Sequence, residues 1–233
     1  MKKIIIALFI PMLMSIFVFA SSDIASTHQN EPAGLFLTWK DDPYTTMVID
    51  YHTQPGYQGS TKLQYRVKGG KKWIPAEGTN FPYPHHTKTV HRIELNKLKA
   101  GKTYEFTLDG FSRVYSFKTL PKGNKQAVRF AIGGDTMHQK AWMDSTNCAA
   151  MVYDPDFIVW GGDLAYANGS PDNIGRWDDW FQSIMETLIH PDGRVVPILV
   201  GIGNHEVQRK PEDYVPNDAN RLRYAPFFYS LFA

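Results

Sequence analysis

Residues 156–166 read DFIVWGGDLAY. A short apolar run, Phe157 to Trp160, breaks into two glycines, an aspartate and, three positions on, a tyrosine. Such a run fits a buried strand that turns sharply at its carboxyl end and sends polar side chains off the top of a sheet. The same pattern occurs twice more, as VRFAIGGDTM at 128–137 and VVPILVGIGNHE at 195–206. Between the three lie helix-like stretches at 139–153 and 174–189. In the second, Trp177, Trp180, Phe181, Ile184 and Leu188 recur at helical spacing and read as core rather than as the border of a groove. The alternation predicts a parallel sheet with crossover helices over 126–233, with 128–132 as a buried strand.

Upstream the pattern is different. From 35 to 119, short alternating runs are separated by turn signals such as Asp41-Asp42-Pro43, Gly69-Gly70 and Ala100-Gly101. Met47, Ile49 and Tyr51 share one strand face, and Leu63, Tyr65 and Val67 another. About seven such strands predict an antiparallel β-sandwich of immunoglobulin or fibronectin type III kind at 29–121, able to fold by itself, followed by the polar link PKGNK at 121–125. The first twenty residues are a basic head, an apolar run and a small-residue exit, which predicts a cleaved secretory signal at 1–20 and a secreted or periplasmic protein with no membrane attachment. Cleavage removes Lys2 and Lys3 and leaves 23 basic against 23 acidic residues, so a nucleic-acid partner has no electrostatic basis. Cys148 is the single cysteine, which excludes an intramolecular disulfide and any cysteine-built metal site; its place in a helix predicts a small buried residue.

In open α/β sheets, ligands bind beyond the carboxyl ends of the strands. The three predicted strand ends carry Asp135, then Asp163 and Tyr166, then Asn204 and His205. Singly, each has an ordinary structural reading as a turn aspartate, a packed aromatic or a helix cap. Together they converge two carboxylates, a phenol, an amide and an imidazole on one crevice, a donor set suited to hard or borderline cations.

GDLAY at 162–166 followed by GNHE at 203–206 resembles the calcineurin-like metallophosphoesterases, and specifically the purple acid phosphatases. LFLTW at 35–39, VHRIELNKLKAGKTYEF at 90–106 and YSFKTLP at 115–121 are similar to that family's fibronectin-like leading domain. The resemblance implies a fold of fibronectin/Ig-like sandwich plus α/β metallophosphoesterase domain. It also implies hydrolysis of small-molecule phosphate monoesters by a hydroxide activated at a binuclear centre, Fe(III) plus divalent Fe, Zn or Mn. On that pattern Asp135 and Tyr166 bind the iron, Asp163 bridges, Asn204 binds the divalent ion, and His205 is the catalytic residue beside the phosphate.

Two departures accompany it. The family's Gly-Asp-x-Gly motif has Met137 in place of its last glycine, which suggests a narrowed pocket or a shifted backbone there. The family's later histidine ligands have no counterpart, since no histidine follows His205. The histidines before it sit in the leading half (His28, His52, His85, His86, His91), near the first loop (His138), or at a helix end where a cation would complement the dipole (His190). With the apolar stretch at 225–233, this predicts that the domain at 126–233 is incomplete and that the reading frame continues. The competing readings are an inactive binding module and a phosphodiesterase or nucleotidase using the same metals. Sequence leaves the oligomeric state open.

Overall fold

The computed structural model describes residues 31–123, 126–208 and 220–232. The predicted signal at 1–20 and His28 lie outside the described residues. No helix among the described residues is long and apolar enough to cross a membrane.

The leading half is all β. Strands β1 (Gly34–Thr38), β2 (Met47–Thr53), β5 (Thr79–Pro82) and β6 (Thr89–Leu95) form one sheet in the order β1-β2-β6-β5. Strands β3 (Lys62–Val67), β4 (Ile74–Glu77), β7 (Thr103–Leu108) and β8 (Tyr115–Lys118) form the other, in the order β4-β3-β7-β8. Every pairing in the two sheets is antiparallel. Leu35, Leu37, Met47, Ile49 and Tyr51 meet Leu63, Tyr104, Phe106 and Phe117 between them. There are eight strands, where the sequence suggests about seven. The addition is β5, TNFP, a short edge strand with no alternation to announce it and a proline at its end.

The second half has a parallel sheet of β9 (Phe130–Gly133), β10 (Phe157–Trp160) and β11 (Ile198–Val200) in the order β11-β10-β9, with Ile158 opposite both Ala131 and Ile198. Helices α1 (Lys140–Met151) and α2 (Ile174–Thr187) supply the crossovers. Trp177 and Trp180 are buried on α2, as their spacing implies. Two expectations need correction. Strand β9 is not buried, because it is the sheet edge and the helices cover the face carrying Ala131; Phe130 is 56% exposed and Ile132 75%. Cys148 is exposed, because α1 turns Met143 and Asn147 inward and Cys148 lies one position past that stripe.

The two halves share a core. Phe36, Tyr83 and Val90, from the outer face of the β1-β2-β6-β5 sheet, join Trp177, Trp180, Phe181 and Ile184 of α2. Two short helices, α3 (Arg221–Tyr224) and α4 (Pro226–Leu231), complete that layer, with Phe227 and Leu231 buried in it. The described part of the apolar stretch, 225–232, therefore packs back onto the fold through α4. The halves are also joined at an edge, where Ser116 donates to Gly193 O at 2.9 Å and accepts from Val195 at 2.8 Å.

Strand β2 is consequently buried on both faces. Alternation assigns Val48, Asp50 and His52 to solvent, but Asp50 and His52 are 0% and 1% exposed. Asp50 survives there because Arg92 Nε reaches its two carboxylate oxygens at 2.9 and 3.2 Å, while Arg92 Nη2 donates to Leu231 O at 2.8 Å. His52 is enclosed by Phe181, Tyr83 and Phe36, at ring separations of 4.4, 5.0 and 6.3 Å. Burial first, then the charge of Lys88, His91, Arg92 and His86 nearby where they carry it, pushes its pKa from 6.5 down to about 3.

A histidine with a lowered folded pKa takes up protons in the unfolded chain first, so its contribution is complete above about pH 6.5 and is lost as the pH falls toward 3. Between pH 7 and pH 5 the wild-type protein should lose about 2 kcal/mol more stability than a His52→Leu variant. Urea denaturation of both proteins at the two pH values measures this; equal losses would show that His52 is not held neutral between the layers.

Candidate metal centre

The loops after β9, β10 and β11 meet at one end of the parallel sheet. Asp135, Asp163 and Tyr166 have φ of 51°, 53° and 56°, and Asn168 has 54°. Left-handed backbone suits Asp and Asn but is strained for tyrosine. The glycines before the aspartates therefore do not carry all the turning; the functional candidates themselves take the left-handed conformation. Glycine is obligatory at two nearby positions. Gly162 has φ of 109°, and a Cβ on Gly203 would stand 2.3 Å from Asp163 Oδ1.

Glu206 holds this strained backbone. It is 1% exposed, and its carboxylate accepts from Asp163 N (2.8 Å), Leu164 N (2.7 Å) and Gly203 N (2.7 Å), which ties the second loop to the third. Burial raises its pKa and the three N–H donors pull it back. The first loop is bound to the second by Asp135 N to Gly162 O (3.1 Å) and Thr136 N to Asp163 O (2.9 Å). Arg176, on the first turn of α2, donates to Ala165 O (2.6 Å) and Met137 O (2.5 Å), and Trp180 Nε1 donates to Thr136 Oγ1 (2.9 Å).

On this frame Tyr166 Oη donates to Asp135 Oδ1 at 2.6 Å. That bond first, then burial and the charges of Asp135, Asp163 and Glu206, pushes the phenol pKa up to about 12. Asp163 Oδ1 accepts from His205 N at 2.8 Å. The His205 ring stacks on Tyr166 at 4.2 Å, and its Nδ1 lies 2.5 Å from Asn168 Oδ1. Asn204 opens a 3-10 turn (Asn204–Glu206) and is exposed at the same end of the sheet. All five predicted site residues thus lie in the three strand-end loops, four of them linked by direct contacts and Asn204 by sequence to His205.

Met137 does not narrow the site: it is 1% exposed, and its side chain belongs to the core with Trp177 and Trp180. His190 does not act as a helix-end cation either. It faces the Arg194 guanidinium, and burial followed by that charge lowers its pKa. Sequence reading gave no role at the centre to Glu206, Arg176 or Asn168, although Asn168-Gly169-Ser170 fits an N-glycosylation sequon or a turn. Glu206 was within the quoted motif; a carboxylate just after a Gly-Asn-His turn is placed to collect backbone N–H groups. Arg176 and Asn168 had no local signal, because their partners are 39 and 37 residues distant.

The described residues include no group of three or more His, Cys, Asp or Glu disposed to hold one metal ion. Glu206 is spent on backbone, so the donors are two carboxylates, a phenol and an amide. This oxygen-rich set fits one hard cation; the donors for a second are not among the described residues.

Residues 32–119 match the purple acid phosphatase N-terminal domain, and residues 128–232 match the calcineurin-like phosphoesterase domain. Among solved structures, purple acid phosphatase PPD1 from yellow lupin (Lupinus luteus) seeds superposes with a TM-score of 0.63 at 18% identity. The superposition covers 81% of this chain and 38% of the lupin chain, and thus shares the fold over little more than a third of that protein's length. No curated protein matches the chain. The domain that carries the loops is a calcineurin-like phosphoesterase domain. With the leading sandwich before it, the chain matches in order the two domain types that these models describe, a purple acid phosphatase N-terminal domain and a calcineurin-like phosphoesterase domain.

The Glu206 staple is directly testable. Glu206→Gln keeps the shape but turns one acceptor into a donor facing backbone N–H groups. It should cost about 2–3 kcal/mol in denaturation and speed amide exchange at Asp163, Leu164 and Gly203 first. Unchanged exchange at those three amides would mean that the loops are held by other contacts.

Proposed function

We propose that this protein is an exported acid phosphatase acting on phosphate monoesters, and that Asp135, Asp163, Tyr166 and Asn204 are its metal ligands. The observation that carries the reading is the meeting of Asp135, Asp163, Tyr166 and His205 at the carboxyl ends of three parallel strands, with Tyr166 Oη 2.6 Å from Asp135 Oδ1. The matches to a purple acid phosphatase N-terminal domain and to a calcineurin-like phosphoesterase domain support it, with the metal chemistry those domains imply. So does the basic and apolar segment at 1–20 for export.

When bound, a binuclear centre of iron(III) and a divalent ion supplies Lewis acidity, which makes water a nucleophile and offsets charge on the phosphoryl oxygens. The chain's own residues do the rest. Asp135 and Tyr166 are already paired, so together they would hold a cation as carboxylate and phenolate, and the proton given up would be the phenol's. Asp163 is fixed by the His205 N–H on one oxygen, and its carboxylate would be the one to hold metal in the second loop. His205 is held flat on Tyr166 with Nδ1 on Asn168, so Nε2 is the nitrogen left to meet a phosphoryl oxygen. The small-molecule ester is the partner in this reading; no membrane or nucleic acid enters it.

Iron(III) titrated into the purified chain should bind weakly, at no more than one ion per chain, and produce a visible absorption band. Tyr166→Phe should abolish the band, and Asp135→Asn or Asp163→Asn should weaken binding at least tenfold, about 1.4 kcal/mol. Hydrolysis of phenyl phosphate, however slow, should depend on Asp163 and exceed that of a diphenyl ester. Binding and colour indifferent to all three substitutions would overturn the ligand assignment and favour the binding-module reading.

A further inference from the structure

We propose that the cleft between the outer face of the β4-β3-β7-β8 sheet and the turn before β11 binds a tetrahedral oxyanion of phosphate type, at a site separate from the metal centre and independent of its chemistry. Both halves supply the walls. The β7–β8 register sets Thr103 opposite Lys118, and Lys68 N donates to Thr103 O at 2.9 Å, so Lys68, Thr103 and Lys118 form one row across three strands. Ser116 shares the Lys118 face of β8 and is bridged in parallel to Arg194 of the second half. With Asp154 and His190 on the far side, these residues enclose a cavity of about 440 Å³, within the ~300–1,000 Å³ usual for small-ligand sites. Asp154 and Arg194 precede β10 and β11, so the cleft lies at the amino ends of the parallel strands, opposite the loops of the metal centre.

The donors in these walls are underused. Ser116 is 3% exposed, and its buried hydroxyl bonds none of the described residues. Leaving such a group unpaired costs about 1–3 kcal/mol. Arg194 is 7% exposed. Its Nη2 serves Asp154 Oδ1 and His190 Nε2, and its Nη1 reaches Pro155 O at 3.4 Å, while Nε bonds none of the described residues. Lys118 approaches Asp154 at 3.9 Å, the outer limit of an ion pair, and Lys68 pairs with no described carboxylate.

The carboxylates nearby are already committed. Asp154 holds Arg194, Asp192 Oδ1 accepts from Arg194 N at 3.1 Å, and Glu105, opposite Ser116 on β7, holds Arg66 at 2.8 Å. His190 accepts from Arg194, and burial followed by that charge lowers its pKa, which keeps it neutral. Lys68, Lys118 and Arg194 therefore outnumber the lining carboxylates Asp154 and Asp192 by one. A cation entering the cleft would meet three positive groups. A water would satisfy the hydroxyl and leave the charge. An oxyanion does both, because its several acceptor oxygens can take the Ser116 hydroxyl, Arg194 Nε and the lysine ammoniums together in charge-assisted bonds.

Sodium phosphate titrated into the metal-free full chain at constant ionic strength tests this. The backbone amides of Ser116, Gly193 and Arg194 and the Arg194 Nε–H resonance should shift and saturate, while the amides of Asp163 and His205 stay in place. Lys68→Ala and Lys118→Ala should each raise the apparent Kd about fivefold. Ser116→Ala removes a hydroxyl that bonds nothing in the described chain, so it should fold at least as stably as wild type and yet bind phosphate about tenfold more weakly. Two further titrations distinguish the source of the anion. Sulfate binding as well as phosphate makes the site one for free dianions, and tighter binding of glycerol 2-phosphate makes it one for phosphorylated small molecules. Shifts that chloride reproduces, shifts confined to the metal-centre loops, or a Kd unchanged in Ser116→Ala overturn the site.

Discussion

Everything at the candidate centre depends on one buried carboxylate. Glu206 collects three backbone N–H groups from two loops, and so ties the second loop, with Asp163, Tyr166 and Asn168 in left-handed conformations, to the third. The arrangement is economical in residues but rigid in its demands. Gly203 must lack a side chain for Asp163 to come so close, and Glu206 must stay out of the ligand set to serve the backbone. A motif that sequence presents as four adjacent letters is thus divided in space, with the His205 ring stacked on Tyr166 and the Glu206 carboxylate turned inward to the backbone.

The second constraint is the three-layer packing. The β1-β2-β6-β5 sheet lies between the other sandwich sheet and α2, so one of its faces completes the sandwich and the other completes the α/β half. Phe36 contacts Phe181 and Phe232, and Lys88 reaches Asp178 on α2 at 2.5 Å. Helix α2 is therefore fixed on two sides. Its first turn carries Arg176, which holds the loops presenting Asp135 and Tyr166. No described residue of the leading half bonds to the five candidate residues, yet that half supports the helix that positions two of the candidate ligands.

The strand-end grammar of the second half was legible because parallel strands are apolar on both faces and end abruptly, and the five candidate residues follow directly from those ends. The sandwich was legible through its alternation. The failures share a cause. Alternation identifies one buried face and assigns the other to solvent, so Asp50 and His52 read as surface residues although both lie under α2 and α4. Conversely, the apolar run at 128–132 reads as buried, but its place at the sheet edge exposes it, and nothing within a strand encodes its rank in the sheet order. Arg176 and Asn168 escaped for the same reason: what they do is set by partners across the fold.

The link between Arg92 and the Leu231 carbonyl spans 139 residues. On a ribosome adding about 5–20 residues per second, β2 and β6 emerge some seven to thirty seconds before α4. Throughout that interval the outer face of the first sheet offers Phe36, Val90, an aspartate–arginine pair and a neutral histidine to whatever is nearby. Local strand pairing can proceed early, but the face cannot be closed until the last described helix leaves the exit tunnel. The earliest-made part of the described chain is therefore the last to have its outer face covered.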